Sequence, residues 1–366
     1  MKLFVAGVAA GLSVLAASCG GHSAGGDAVD TLSLTGEVII PYDSLRNPHS
    51  IYTVGDRLYL INGNKNETYA DEFATDGRKL GELLPKGQGP GELSFIYNMG
   101  FDQMRKQLQF VVGLGKMKVL EGMGTDSTRL IDNAVDFGWK SGENKDSLFA
   151  PGMQMFILAD GTVVTSNSNR NGMFAAFTPD GKLKNLAGEY PPLSDFGDGM
   201  PEYMVYNFLQ PRIGTNGDGS RFFSVIGSAD MFETGVLDGD SIKVNTKYMA
   251  PPKGINVKVF DTYSSFEYGE DYMAYFGRLA TSDNHAYVSY SGIPARDKAS
   301  LETEMKAGEI PAVTELRVYD FDGNVRRVIR LDCVVVGWAV SADDSTLYAI
   351  GENDEDGFFV KRYDLN

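Results

Sequence analysis

The stretch Leu316–Asp332, LRVYDFDGNVRRVIRLD, holds the pattern from which the rest of the chain can be read. Leu316, Val318, Tyr319 and Phe321 form a β-branched and aromatic run; Asp322-Gly323 interrupts it, and Val325, Val328, Ile329 and Leu331 resume it. Two apolar runs joined by a Gly-containing turn predict a β-hairpin. Worn copies recur along the chain. Ser50–Ile61, Met99–Val112, Met155–Thr165, Arg212–Val225, Arg278–Tyr290 and Gly337–Ile350 each read as strand, polar turn, strand, and each starts roughly 50 to 65 residues after the one before. A period in that range signals a propeller or solenoid. Further strands follow these pairs, around Asp76-Gly77, Asp180-Gly181 and Asp238-Gly239, with Val119–Val135 a weaker member.

Six repeats of four antiparallel strands predict an all-β fold, a six-bladed β-propeller. The last repeat stops after its third strand, Phe358–Leu365, whereas the N-terminal side has a spare strand, Leu32–Pro41. The ring is therefore expected to close by pairing the N-terminal strand with the C-terminal blade, which leaves no long edge bare. Two connections depart from the pattern. Glu189–Val205, rich in Pro and Gly, reads as a loop between blades three and four. Ile293–Ala312 is a charged excursion in blade five whose Asp297–Lys306 part has helix formers, with Gly308 as a stop; a disordered loop is the alternative.

The 366 residues carry 43% hydrophobic and 11% aromatic side chains, enough for a sizeable core, and 43 glycines for many tight turns. Acidic residues outnumber basic ones 49 to 33, a net charge of −16. That field argues against nucleic acid and against anionic lipid as partners. With three histidines (His22, His49, His285) and two cysteines (Cys19, Cys333), neither a Cys/His metal cluster nor a disulfide framework can be assembled. No cofactor motif is legible. Cys333, in a strand, reads as a small buried hydrophobe.

The N-terminus reads as an address. Lys2 precedes an apolar stretch, Leu3–Ala17, that suits a signal peptide better than a membrane span. It ends in Leu15-Ala16-Ala17-Ser18-Cys19, which resembles the lipobox of bacterial lipoproteins, although Leu15 stands one place earlier than in the usual pattern. The resemblance implies a signal peptide over residues 1–18, lipid attachment at Cys19 and a Gly/Ser-rich tether over residues 19–31, with the propeller occupying residues 32–366. Gly20 at the next position, and the absence of charge in Gly20–Gly26, favour the periplasmic face of the outer membrane over the cell surface.

A family resemblance joins these readings. Lys86–Leu93, KGQGPGEL, resembles the GxGPGEF-type signature of TolB-like six-bladed β-propeller lipoproteins of the Bacteroidota. Tyr287–Gly292 is similar to that family's LYSG-type segment, and Leu316–Asp332 with Thr346–Leu365 resemble its final blade. The resemblance implies a fold and an exported lipoprotein; it supplies no reaction and no catalytic residues.

The individual motifs mostly have structural readings. In Lys86–Leu93 the Lys precedes the glycines and Pro90 interrupts them, so a phosphate loop is disfavoured. Gly87, Gly89, Pro90, Gly91 and Glu92 are expected to form a structural crossover between blades, with Glu92 accepting backbone N–H bonds. The Asp-rich turns (Asp218, Asp343-Asp344, Asp354–Asp356) lack calcium-loop spacing, and turn chemistry explains them, although an ion in the channel stays open. No Gly-x-Ser-x-Gly elbow accompanies His285.

One pair stands above this background. In the repeat alignment Arg212 and Arg278 begin the first strands of adjacent blades, and the first strand of a blade lines the axial channel. Two guanidiniums there would make an anion-attracting mouth, unless each pairs with a nearby carboxylate. The expected protein is a lipid-anchored, monomeric, non-enzymatic propeller that binds a small anionic ligand, a glycan or an envelope protein. The alternative is a metal-assisted lactonase or lyase with its site in the channel.

Overall fold

The computed structural model describes residues 29–63, 66–139, 151–196, 202–259, 264–306, 314–353 and 357–366. Within them stand six four-stranded antiparallel blades. Blade one is Pro48–Val54, Arg57–Asn62, Thr68–Ala74 and Lys79–Pro85. Blades two, three and four span Asn98–Asp136, Pro151–Ala187 and Arg212–Ala250, and blade five Met273–Leu331. Blade six takes Val335–Val340, Thr346–Asn353 and Gly357–Asp364 from the C-terminal end and Glu37–Ile40 from the N-terminal end.

Burial explains the run-on apolar character of the second and third strands. Arg57–Asn62 is buried at every position but the first, because blades cover both its faces. The outer strand Lys79–Pro85 alternates between exposed and covered positions instead. Six apolar layers fill the ring, one between each neighbouring pair of blades. The layer between blades six and one joins Ile350 and Val360 to Ile51, Leu58 and Phe73, and Ile40 from the closing strand lies among them with no exposed surface.

The closing segment differs from expectation in one respect. It is not one strand over Leu32–Pro41 but two, divided at Thr35-Gly36. Asp30–Leu34 runs parallel to Val325–Leu331 and becomes a fifth strand on blade five; Glu37–Ile40 pairs antiparallel with Gly357–Asp364. At the division, the Asp332 carboxylate accepts the Gly36 N–H at 3.4 Å and the Tyr363 hydroxyl at 2.9 Å. The physical reason is that blade five ends in an open edge of its own, and one segment covers both edges in passing.

The connections hold more structure than the sequence suggested. The stretch expected as a loop contains a short 3-10 turn, Leu193–Phe196, and ends in a helix, Glu202–Phe208. Val205, Tyr206 and Leu209 pack into the layer between blades three and four. The excursion in blade five is helical over Ala295–Lys306; its expected stop at Gly308 lies outside the described residues. An additional hairpin, Ile255–Val259 with Ser264–Tyr268, stands between blades four and five, and its Phe266 ring packs at a tilt against Phe208 with ring centroids 4.7 Å apart. Among the described residues no helix is long and apolar enough to cross a membrane.

One buried acid makes stability depend on pH. Glu233 has no exposed surface and accepts hydrogen bonds from Ser224 Oγ at 2.9 Å and Thr246 Oγ1 at 3.1 Å. Burial pushes its carboxyl up to about 8, and the two hydroxyls offset only part of that effect. In the unfolded chain a glutamate titrates near about 4.3. Between these values the native state keeps a proton that the unfolded chain has released, so stability falls as pH rises through this interval and levels above it. Replacement of Glu233 by Gln should remove that slope. In thermal melts the advantage of Glu233→Gln over wild type should widen steadily from pH 5 to pH 8; parallel curves would contradict the assignment.

Candidate binding site in the central channel

The first strand of each blade faces the axis. Pro48–Val54, Asn98–Asp102, Arg212–Thr215, Met273–Thr281 and Val335–Val340 all contribute residues to one cavity of about 530 Å³. Arg212 and Arg278 both line it. Its lining also includes His49, Tyr52, Asn62 and Gln154, and among the described residues it includes no Asp or Glu. In a chain with 49 acidic residues, that exclusion is the main chemical character of the site.

The two guanidiniums are anchored without being neutralised. Arg212 Nη1 donates to the carbonyl oxygen of Gly277, next to Arg278. Arg278 Nη1 donates to Ser50 Oγ at 3.3 Å, and the Arg278 backbone N–H donates to Ser289 Oγ at 3.0 Å. Among the described residues neither arginine makes an ion pair. Arg212 is exposed by surface area although protein surrounds it on most sides, as happens to a side chain standing in an open channel. Desolvation lowers its pKa, and the charge of Arg278 lowers it further. Arg278 is lowered by desolvation as well, against a small opposing effect of Tyr52. Both stay protonated at any physiological pH.

The neighbouring titratable groups add no charge. Desolvation, then the positive charge of Arg278, holds His49 below its ordinary value, so its ring is neutral at pH 7. Burial pushes the Tyr52 hydroxyl up to about 12 despite Arg278, and it remains a protonated donor. The Tyr52 ring stacks on Phe101 with centroids 5.7 Å apart. At one end of the channel Gln103 bridges the blades. Its side-chain amide donates to the Thr281 carbonyl oxygen, and its backbone N–H donates to Thr215 Oγ1 at 3.3 Å. Lys106 joins it by donating to Asp283 Oδ1 at 2.8 Å and to Gln103 Oε1 at 3.2 Å. Blades two, four and five are thereby tied together across the axis.

The other singled-out residues lie elsewhere. In the segment between blades one and two, Glu92 Oε2 accepts the Gly89 N–H at 2.8 Å, and the Gly91 N–H reaches Asp132 Oδ2 at 3.0 Å. A Cβ on Gly87 would sit 1.8 Å from the Glu92 carboxylate and would displace it from its place in the turn, while Gly91 has φ +77°. Pro90 precedes Gly91 in this turn. His285 Nδ1 stands 3.0 Å from Asp344 Oδ2, outside the channel lining. Asp218 and Asp343 are occupied by hydroxyls and backbone N–H groups of their own turns. No group of three or more His, Cys, Asp or Glu side chains suited to a metal ion occurs among the described residues. The alternative of a channel metal therefore lacks carboxylate ligands in the described lining. Cys19 lies outside the described residues.

The sequence reading missed His49, Tyr52, Asn62, Gln103 and Gln154. A signal for some of them existed, since Ser50 and Met155 stand at the same repeat position as Arg212 and Arg278. Their near neighbours in each repeat line the same cavity.

Fold and site together define a six-bladed β-propeller whose axial cavity is cationic, polar and free of described carboxylates. No family model matches the chain, and no curated protein matches it. Solved structures do. A candidate exported protein of Bacteroides fragilis NCTC 9343 is 10% identical, with 92% of this chain and 99% of that one covered and a TM-score of 0.47. A candidate 6-phosphogluconolactonase of the same organism is 11% identical over 88% of this chain and 86% of its own, with a TM-score of 0.38. A luciferin-regenerating enzyme is 10% identical over 90% and 92%, with a TM-score of 0.40. The expectation of a non-enzymatic protein is corrected on this point: proteins described as enzymes stand among the similar structures, so the exclusion of an enzyme does not hold. At such distances nothing of their chemistry passes to this chain.

Proposed function

We propose that this propeller binds a small ligand carrying an oxyanion, in its central channel, and does so at the bacterial envelope. The observation that carries the reading is that Arg212 and Arg278 share one cavity, without an ion pair, in a lining that has no described carboxylate. Two like charges held close cost free energy unless an anion joins them, and a carboxylate or phosphate suits the planar forks of two guanidiniums. Neutral His49 and protonated Tyr52 supply hydrogen bonding without competing charge. Titration calorimetry with a panel of small organic acids and their neutral amides tests this. The acids should bind more tightly than the amides, and the difference should shrink as salt screens the attraction. Amides that bind as well as the acids would end the proposal.

The envelope address rests on the sequence. The lipobox-like run ending at Cys19, the tether over residues 19–31 and the TolB-like resemblance of Lys86–Leu93 and the terminal blade support an outer-membrane lipoprotein facing the periplasm. Acyl chains would supply its membrane affinity. Cys19→Ser should therefore shift the protein from the membrane fraction to the soluble one, or leave its signal uncleaved. Membrane fractionation and mass spectrometry of the N-terminal peptide read the outcome. A variant that still fractionates fully processed with the outer membrane would refute the anchor.

A further inference from the structure

The inner strand of blade one is irregular where it meets the cavity. Pro48 pairs with Asn62 and Ser50 with Ile61, so His49 is an extra residue, a β-bulge. Neighbouring side chains of a regular strand point to opposite faces, and a bulge re-aims one of them. Here His49 Nδ1 stands 3.0 Å from Ser50 Oγ. Both residues are half-buried and line the channel, where they are the only histidine and the only serine among the described residues.

A second irregularity meets the first. In the inner strand of blade five Phe276 pairs with Tyr290 and Leu279 with Val288, so Gly277 and Arg278 together oppose Ser289. From this bulge Arg278 Nη1 reaches across to Ser50 Oγ at 3.3 Å, and the Gly277 carbonyl oxygen accepts from Arg212. The two bulges thus bring a hydroxyl, a neutral imidazole and two guanidiniums into one cavity.

The direction of these bonds decides what the hydroxyl can do. A guanidinium only donates, so Ser50 Oγ accepts from Arg278, and its own proton is left for His49 Nδ1, which accepts it in the Nε2–H tautomer. Anchoring Arg278 needs only a lone pair of Ser50. His49 engages the proton, the part of the hydroxyl that an anchor leaves unused. An adjacent base that takes the proton, with a cation that favours the alkoxide, is the arrangement that activates a serine nucleophile.

We infer that this cavity is an esterase site in which Ser50 attacks the carboxylic ester of an anionic molecule and His49 is its base. This rests on the oxyanion reading above and deepens it, with Arg212 holding the acid group of the substrate. Ser50 Oγ forms a bond to the ester carbon while its proton passes to His49 Nδ1. Charge gathers on the carbonyl oxygen, and the Arg278 N–H groups that no described residue occupies stabilise it. The bond from carbon to the alcohol oxygen then breaks, and that oxygen takes the proton from His49. Water, deprotonated by His49, attacks the acyl-serine; the Ser50 oxygen leaves with that proton and the acid is released.

Two measurements on the full chain test it. Diisopropyl fluorophosphate should modify wild type at Ser50, read by mass spectrometry of the peptides. Mono(4-nitrophenyl) adipate should be hydrolysed with a kcat/KM about tenfold above that of the uncharged 4-nitrophenyl hexanoate, and Arg212→Ala should remove that preference. Ser50→Ala and His49→Gln should each lower kcat for both esters about a hundredfold or more, while Ser50→Ala still binds adipate itself. An unmodified Ser50, with Ser50→Ala as active as wild type, overturns the esterase; adipate that still binds then leaves the oxyanion site standing. Hydrolysis through Ser50 with no preference for the charged ester keeps the serine site and overturns the oxyanion reading. Should Ser50→Ala fail to fold, modification of wild type decides alone.

Discussion

A chain beginning at Tyr42 should melt at least about 10 °C below one beginning at Asp27, if it folds at all. The shorter chain lacks both closing strands. Without Glu37–Ile40 the outer edge of Gly357–Asp364 loses its partner, and without Asp30–Leu34 the edge of Val325–Leu331 is uncovered. The side-chain loss is as large as the backbone loss. Ile40 has no exposed surface in the layer between blades six and one, and a buried Ile truncated to Ala costs about 2–5 kcal/mol by itself. Gly77 shows how tightly blade one receives this strand, since a Cβ there would lie 1.9 Å from the Ile39 carbonyl oxygen. Total stabilities of natural domains are about 5–15 kcal/mol, so removal of the segment consumes a large part of the whole. Ile40→Asp in the full chain should act in the same direction, because it places an unpaired charge in that layer. Equal melting temperatures for the two truncated chains, measured by circular dichroism, would show that closure does not depend on this segment.

What the sequence disclosed and what it hid follow from the range of the interactions. The hairpins within the blades were legible because their cues are local: apolar runs, a turn residue at a fixed offset, and Gly where φ is positive, as at Gly77 and Gly323 in the outer hairpins of blades one and five. The N-terminal strand was legible in kind but not in its division, because the break at Gly36 answers to Asp332, almost three hundred residues away. The hairpin Ile255–Val259 with Ser264–Tyr268 was overlooked because it breaks the repeat period on which the reading was built. The helix Glu202–Phe208 was hidden in a stretch whose Pro and Gly content suggested a loop, and packing of Val205 and Leu209 overrides that propensity. In the site, Arg212 and Arg278 stood out because equivalent repeat positions are a sequence property. The bond from Gln103 to Thr281 spans 178 positions and leaves no local trace. The meeting of His49 and Ser50 with Arg278 likewise joins two blades and has no local sign.

Anion affinity should collapse when the arginine pair is removed. Arg212→Ala and Arg278→Ala should each weaken binding of an organic acid about ten- to a hundredfold, since a hydrogen bond to a charged partner contributes roughly 1.5–3 kcal/mol. The double variant should bind acids no better than their neutral amides. Stability should respond in the opposite sense to an ordinary arginine deletion. Arg212 has no described ion pair to lose, and the charge of Arg278 already works against its own. Its removal relieves that repulsion, so the melting temperature of Arg212→Ala should stay level or rise. Arg212→Lys should recover only part of the affinity, because an ammonium keeps the charge but not the planar fork. Arg212→Glu gives the sharpest contrast. It would place a carboxylate beside Arg278, satisfy that guanidinium internally and exclude an external anion, so binding should vanish while the fold is retained. Calorimetric titrations in low salt, paired with thermal melts of the same preparations, separate these effects. Wild-type dissociation constants in both single Ala variants would mean that the channel arginines serve the propeller alone.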